Sequence, residues 1–513
     1  MSNPLSDFMS EVDASALSST SSSSTSASTT ADVAPITAAA PTKSGKLVVC
    51  CSVDWENMGS KSQQSGADSS DLVLEGPHQV ELACGPVQKM FSSSTAHHTF
   101  ILAASGELLA WGQNTDGQCG VVPGASTSTI HWPMVIATPS PVKKIACGRH
   151  HSLMLCTDGR VFAAGSNTSG QLGIGALPKG AKFMSRFVQV DKLEQAMDIS
   201  CGESHSLACC MPAGQLYSWG HPLNGQLGTG SKGEFIKDGG KGAALQYHFV
   251  WTPQAIYRYV SKDAHGKILT DHSSMRIRQV AAGKNHSVVL EDWENGGLGR
   301  VFSCGFGGYG RLGHNGVGDE ILFTEVGFFS QFTRDPATGQ SIQTSPTNPQ
   351  RQVRRIDCGS TLSVAVSAIG TAFNWGKLSN SKSGEAMVYP KLCDSGGGLQ
   401  ADPQLLANGS NLVVVGFGPD MVAWGVPVAG KLGLDGDAKS SVAPKYISAL
   451  SDIKCIDVSA GFGHVAFVCT ESSALAALPV LKKRAGSTVT ASSTDRGAAS
   501  KEGEGPSKKK KTK

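Results

Sequence analysis

The sequence predicts an all-β protein, a seven-bladed β-propeller of repeats set between two disordered tails. Three observations carry this reading: a Gly-x-x-His-Ser element in seven exact or degenerate copies, a short strand ending in Trp-Gly or a relative, and a spacing near fifty residues. Glycine is abundant, 61 of 513 residues. Each interior Gly costs a helix about 1 kcal/mol against Ala, so tight turns are favoured over long helices.

The first element appears as CGRHHSLML from Cys147, CGESHSLAC from Cys201 and AAGKNHSVVL from Ala281. Degenerate copies are STAHHTFIL from Ser94, CGSTLSVAV from Cys358, ANGSNLVVV from Ala407 and AGFGHVAFV from Ala460. The second element reads LLAWGQNTDGQCG from Leu108, VFAAGSNTSGQLG from Val161, LYSWGHPLNGQLG from Leu216 and VFSCGFGGYGRLG from Val301. AFNWG from Ala372 and MVAWGVPVAGKLG from Met421 follow. Its glycines fall at 112, 165, 220, 305, 376 and 425, so insertions are expected at about 230–278 and 315–352. Two short apolar runs around a Gly turn form a hairpin, and such hairpins at this period form propeller blades. KLVVCC at 46–51 has no His-Ser partner before it, and the element around His464 has no Trp-Gly strand after it. The first strand can therefore complete the last blade and remove the exposed edge.

The domain boundaries follow: a disordered Ser/Thr-rich tail over 1–45, the propeller over 46–475 and a disordered basic tail over 476–513. Thirteen of the seventeen residues from Ala14 to Thr30 are Ser or Thr. Such a stretch cannot bury enough apolar surface to offset its chain entropy. Residues 482–513 hold ten Lys/Arg and three Asp/Glu, against four acids and one Lys in 1–45. With a total of +3, the body is nearly neutral, and the basic charge belongs to the tail. Lys482, Lys483, Arg484 and the run Lys508, Lys509, Lys510, Lys511 read as a nuclear address or a nucleic-acid contact. No apolar run is long enough for a transmembrane helix. The N-terminus lacks the apolar core of a signal peptide, and 14 scattered Cys suggest reduced intracellular thiols.

Several constellations are read as structural. His151, His205, His286 and His464 recur at one repeat position, so a ring distributes them over different blades; buried ring nitrogens bonded to neighbouring strands fit them best. Cys147 with His151, and Cys201 with His205, lack the four convergent ligands of a zinc site. Gly305, Gly307 and Gly310 match G-x-G-x-x-G, but Arg311-Leu312-Gly313 continues the repeat turn where a dinucleotide site needs a helix. Trp111, Trp219, Trp375 and Trp424 are expected as packing anchors. No catalytic residue, metal or cofactor is assigned.

The paired elements resemble the repeat of the regulator-of-chromosome-condensation family across about 46–475. GFGGYGRLGH from Gly305 to His314, followed by Asp319-Glu320, resembles the branch of the family's second member. GPH at Gly76, GEFI at Gly233, GKIL at Gly266 and VYPK at Val388 point the same way. The resemblance implies a seven-bladed propeller, in agreement with the repeat count. It implies a non-catalytic scaffold that binds small GTPases, with guanine-nucleotide exchange as one form of that role. The founding member is an exchange factor for Ran on chromatin. The branch is linked to mitosis and cell-cycle progression, the chromosome passenger complex, microtubules, and GTPases of the Rac, Ral and Arf types. A nuclear protein associated with chromosomes or the spindle in mitosis is expected. The alternative is a structural adaptor for chromatin or microtubules with no effect on nucleotide turnover.

In the Ran-exchanging relatives, acidic and His side chains between the repeat Gly and His meet the GTPase. The matching positions are Arg149-His150, Glu203-Ser204, Lys284-Asn285 and Ser360-Thr361. They lie on a loop at one face of the ring, where function concentrates. His150 and Glu203 keep part of that chemistry, whereas Arg149 and Lys284 bring the opposite charge, which argues against Ran exchange and leaves a different GTPase or an acidic surface as the partner.

Replacing Lys508 through Lys511 with Ala should remove most nucleic-acid affinity. Four to five phosphate contacts would give a log–log salt slope of roughly −4, at about −0.9 per phosphate. Filter binding across a salt series should show that slope flatten, and imaging should show a shift toward the cytoplasm. An unchanged slope in a chain ending at 480 would place the address on the propeller.

Overall fold

In the computed structural model, each repeat becomes one antiparallel sheet standing radially around an axis. The structure describes residues 43–54, 72–124, 127–236, 245–262, 266–273, 275–295, 297–334, 341–344, 352–378, 386–393, 402–417, 419–435, 440–481 and 483. Residues 1–42 of the expected 1–45 tail, and 482 and 484–513 of the expected 476–513 tail, Lys482, Arg484 and Lys508–Lys511 among them, lie outside the described residues.

Blade 1 is Val87–Phe91, His98–Ala103, Leu108–Gln113 and Thr129–Ile136, counted outward from the axis. Blade 2 is Val142–Cys147, His151–Cys156, Val161–Ser166 and Phe183–Gln189, and blade 3 is Ala196–Cys201, His205–Cys210, Gln215–Gly220 and Val250–Ala255. Blade 4 holds Ile277–Ala282, His286–Glu291, Val301–Gly305 and Glu320–Glu325. Blade 5 is Val353–Cys358, Leu362–Ser367, Ala372–Gly376 and Met387–Leu392. Blade 6 is Asp402–Asn408, Leu412–Phe417, Asp420–Gly425 and Ser441–Tyr446. Blade 7 combines Cys455–Ala460 and His464–Cys469 with Lys46–Cys51 and His78–Val80. The propeller has seven blades, as the repeats predict.

Closure is direct. Lys46–Cys51 pairs antiparallel with His464–Cys469, in a register that sets Cys51 against His464 and Lys46 against Cys469. A further strand, Val480–Leu481, lies parallel to Gln79–Val80, so paired backbone continues beyond the boundary expected at 475.

Burial explains the element pattern. Second strands such as His151–Cys156 and His205–Cys210 are buried at every residue, because both faces of a radial sheet meet neighbouring blades. The apolar side chains form seven clusters, each spanning the seam between adjacent blades. Fourth strands are half wet, as in Phe183–Gln189 and Val250–Ala255. That mixed pattern gives a weak sequence signal, and it corrects the expected insertions. Val250–Ala255 is a blade strand inside 230–278. The added pieces are the hairpin Glu234–Ile236/Leu245–Tyr247 and the pair Tyr259–Lys262/Ile268–His272, of which Tyr259–Lys262 runs parallel to Glu320–Glu325 and extends blade 4. Likewise Glu320–Glu325 is a blade strand inside 315–352, and the hairpin Gln331–Arg334/Ser341–Thr344 follows it.

The first strands surround a central channel of about 590 Å³. Their unpaired inner edges are satisfied across the seams. Asp198 Oδ2 accepts from Val280 N at 3.1 Å, Asp357 Oδ2 from Asn408 N at 3.1 Å, and Asp457 Oδ2 from Met90 N at 2.9 Å. Gln279 bonds both N–H and C=O of Ile356. The glycine after each Trp sits where the third strand shifts register against the fourth. At Gly220, φ is +107° and a Cβ would lie 2.6 Å from Ser204 O. Only Gly fits both demands.

Deleting 46–52 should abolish cooperative folding. It removes Leu47, Val48, Val49, Cys50 and Cys51, each 1% exposed or less. At about 1.5–3 kcal/mol per buried apolar side chain, that loss rivals a whole domain's stability of ~5–15 kcal/mol. Deleting 1–40 should leave the melting curve unchanged. Calorimetry on both truncations checks the closure, and equal Tm values would refute it.

Candidate functional site

The connections from first to second strand, and from third to fourth, emerge on one face of the ring. The first set begins with the repeat Gly. At Gly202 a Cβ would fall 2.1 Å from His205 Cε1, so the His ring lies directly on the glycine. This close approach turns the two intervening residues outward and presents them on the face.

The histidines beneath are a structural relay. His98 Nε2 meets Ser152 Oγ at 2.7 Å, His151 meets Ser206 at 2.9 Å, His205 meets Ser287 at 3.0 Å and His286 meets Ser363 at 2.9 Å. Each His thus bonds the Ser of the next blade. Those hydroxyls in turn donate to Gln118 O, Gln171 O, Gln226 O and Arg311 O at 2.7–2.9 Å. A hydroxyl has one hydrogen, so the His must donate from Nε2 as the neutral tautomer. Burial holds His151, His205 and His464 down to about 3, and pushes His98 and His286 well below the usual value. The bonding partner is a neighbouring hydroxyl, where the sequence reading expected strand backbone. Cys147 Sγ faces Phe91 O at 3.6 Å and Cys201 Sγ faces Ala146 O at 3.4 Å, each directed at the preceding blade. All four expected anchor tryptophans are 1% exposed or less, and Trp219 donates to Gln171 O at 2.9 Å.

Above the relay, the structure joins some of the expected contact residues. Arg149 Nη1 lies 3.0 Å from Glu203 Oε1, and Lys284 Nζ lies 3.7 Å from the same oxygen. The three side chains form an ion-paired arc over blades 2, 3 and 4. They are partly exposed, at 41%, 23% and 44%. His150 Nδ1 bonds Asp116 Oδ2 at 2.9 Å, and that pairing with His150 lowers the Asp116 pKa. Ser204 and Asn285 give their carbonyls to His221 N and Phe306 N, which ties the two loop sets together.

Ser360 and Thr361 differ. Ser360 is buried and donates to Ser94 O at 3.0 Å. Blades 1 and 5 are not neighbours, so this bond crosses the axis and narrows the channel at this face. Thr361 Oγ1 donates to Lys377 O at 2.8 Å and meets Asn411 Oδ1 at 3.2 Å. Both residues brace the face from within. Lys483, the one residue of the basic clusters in the described set, lies elsewhere, along a groove with Trp132 and Leu481.

The sequence reading missed members of the same face. His97 packs against Phe462 with ring centroids 4.6 Å apart and the planes tilted by 57°, and burial lowers its pKa to about 4. Tyr309 stands 46% exposed on the turn Gly308–Gly310. Phe462 sits at the variable position of the last repeat and was available from the repeat alignment. No helix follows Gly310, and a Cβ there would strike Val388 Cα at 2.5 Å, so the glycine string serves packing.

Comparison with known proteins places these features in context. The model of the regulator of chromosome condensation (RCC1) repeat matches residues 105–155, 158–209, 213–290 and 299–366. The chain is 32% identical to Protein RCC2 of Homo sapiens over 441 residues, covering 84% of this chain and 77% of that one. Among solved structures, human WBSCR16 aligns with a TM-score of 0.60 at 17% identity, over 84% of this chain and 100% of that one. Prp20p from Saccharomyces cerevisiae, described with its binding to Gsp1p and histones, aligns with a TM-score of 0.57 at 16% identity, over 84% and 92%. These likenesses support the propeller fold.

The relay should make the fold acid-labile. The unfolded chain protonates its histidines near pH 6.5, while the folded ones resist to about 3, so stability falls as pH drops through that window. Each such His contributes up to ~1.4 kcal/mol per pH unit. Asp457, raised by burial to about 6, opposes this below pH 6, but the histidines outnumber it. His205→Ala should cost about 1–3 kcal/mol at pH 7. His205→Leu, the residue at the same position in Leu362 and Leu412, should be milder and should flatten the acid dependence. Urea melts at pH 7 and pH 5 test both, and a pH-independent wild-type midpoint would refute the relay.

Proposed function

The chain belongs to the regulator of chromosome condensation (RCC1) repeat family, and from that premise we propose a non-catalytic propeller scaffold that docks a small GTPase on the face described above. The single observation that carries this reading is the ion-paired arc of Arg149, Glu203 and Lys284. Three adjacent blades present charged, partly exposed side chains at equivalent positions, held by backbone that the relay fixes. Fixed side chains lose little entropy on association, which favours binding.

Two cations around one carboxylate give this arc a positive excess, which fits an acidic partner surface; the resemblance to the branch of the family's second member adds the Rac, Ral and Arf types, ahead of Ran, as the GTPases to try. Nucleotide exchange on such a partner would act by distorting its nucleotide site and would need no catalytic side chain here. The likeness to Protein RCC2, and the Gsp1p and histone binding named for Prp20p, support a regulatory scaffold of this kind. Contact with chromatin or microtubules is assigned to the basic tail, with a nuclear address and a role in mitosis and cell-cycle progression, including the chromosome passenger complex. No described helix is long and apolar enough to cross a membrane.

A panel of nucleotide-free GTPases, tested for capture by the full chain, checks the reading. Arg149→Glu should leave the melting temperature nearly unchanged, since exposed ion pairs contribute ~0–1 kcal/mol. It should weaken GTPase capture by about 2 kcal/mol or more, as loss of an interface hot spot does. Binding that survives Arg149→Glu refutes the assigned face. A panel with no binder favours the structural adaptor.

A further inference from the structure

Blade 4 departs from its neighbours at one turn. In blades 1, 2 and 3 the Gln of Gly-Gln-Cys-Gly or Gly-Gln-Leu-Gly closes the turn by accepting a backbone N–H. Asp116 N donates to Gln118 Oε1 at 2.9 Å, Ser169 N to Gln171 Oε1 at 2.8 Å, and Asn224 N to Gln226 Oε1 at 2.8 Å. Arg311 occupies that place in blade 4, and a guanidinium has no acceptor. It donates instead, from Nε to Gly308 O at 2.9 Å and from Nη1 to Ser360 O at 3.0 Å. The turn then takes another path. Tyr309 adopts φ +65°, whereas Asp116, Ser169 and Asn224 show no positive φ. A left-handed conformation is an outlier for a bulky residue, and such strain gathers where a surface is used.

Beneath the displayed Tyr309 lie two cations. Arg311 is 2% exposed and Lys377 is 8% exposed. The Lys377 ammonium sits 4.8 Å from the Tyr309 ring centroid, and the Arg311 guanidinium lies 5.5 Å from it and 4.8 Å from that of Phe306. Neither cation has an ion-pair partner among the described residues. Asp319 bonds Gly307 N and Lys232. Elsewhere the fold follows the usual rule: the buried Arg300 is matched by Glu291 at 2.9 and 3.0 Å. Burying two uncompensated cations side by side is costly unless an anion completes them.

We propose that Tyr309, Lys377 and Arg311 form an anion-accepting hot spot on the docking face, and that the partner inserts an Asp or Glu carboxylate from an acidic segment. The ligand is a side-chain carboxylate by charge complementarity: two buried cations with no ion-pair partner among the described residues lie within 4.8 and 5.5 Å of an exposed Tyr ring. The carboxylate meets the cations, and Tyr309 covers the apolar part of the partner segment. Exposed Tyr beside a buried cation matches the composition of interface hot spots. This inference refines the face used for GTPase docking, but its assay is independent of any GTPase.

The test uses the full chain carrying Lys508→Ala, Lys509→Ala, Lys510→Ala and Lys511→Ala, so that the tail does not attract the probe. The probe is fluorescein-labelled hexaglutamate, with hexaglutamine as control, read by anisotropy. Hexaglutamate should bind and hexaglutamine should not. Arg311→Gln restores the residue of blades 1, 2 and 3 and should fold normally, while weakening hexaglutamate at least tenfold. Tyr309→Gly relieves the positive φ and should keep or raise Tm, while weakening the peptide about fivefold. Unchanged affinity in both variants would overturn the proposal. Displacement of the peptide by inorganic tripolyphosphate at lower concentration than by free hexaglutamate would overturn the carboxylate assignment. Peptide binding alongside a negative GTPase panel would uphold the hot spot and sink only the GTPase reading.

Discussion

The hydrogen-bond relay from His to Ser to carbonyl is the constraint on which the rest of the ring depends. Hydrophobic burial holds the blades together, but it is non-directional and would tolerate sliding at every seam. The relay is directional. His205 of blade 3 reaches Ser287 of blade 4, and that hydroxyl reaches back to Gln226 O in the turn of blade 3. One side chain therefore fixes the height of the next blade, and one hydroxyl fixes a loop above the seam. The glycine under each His ring follows from the same contact. So does the fixed position of the two residues between Gly and His, which are the ones free to vary.

The relay also explains which features were visible in the sequence. Gly, His and Ser recur because the four seams from blade 1 to blade 5 share one local geometry, so blade count and ring closure followed from spacing. Fourth strands were harder. Val250–Ala255 and Glu320–Glu325 are half wet and carry no repeated residue, so both were absorbed into insertions. Long-range contacts were invisible for a different reason. Ser360 looked like a surface residue by analogy with Glu203, yet its hydroxyl crosses the axis to Ser94 O. Equivalent sequence positions diverge wherever the ring brings distant loops together.

The two ends of the channel differ in a way that bears on function. At the relay face, the Ser360 hydroxyl meets Ser94 O across the axis and narrows the opening in that surface. The outer parts of that surface are pinned by seams between blades 2, 3 and 4. Toward the opposite end, Arg278 and Arg354 lie over the two sides of the Trp293 neighbourhood, at 4.8 and 3.2 Å from its ring centroid, and Arg278 pairs with Asp292 and Glu294. Its charge is therefore largely answered within the fold. The contrast leaves Arg311 and Lys377, on the relay face, as buried cations with no ion-pair partner among the described residues.

A scaffold of this kind gains from separating what holds it from what it displays. Seam residues are buried and bonded or packed across blades, so changing them costs folding. Face residues such as Arg149 and Glu203 contribute little to stability, because exposed ion pairs are worth ~0–1 kcal/mol. Their charges can be exchanged to suit a partner while the backbone beneath stays fixed. Blade 4 is where that separation is incomplete. Arg311 O accepts from Ser363, as Gln226 O does from Ser287, so its backbone still serves the seam while its side chain has left the turn. Strain at Tyr309 is the cost of that substitution, and it persists because seams on both sides hold the turn in place.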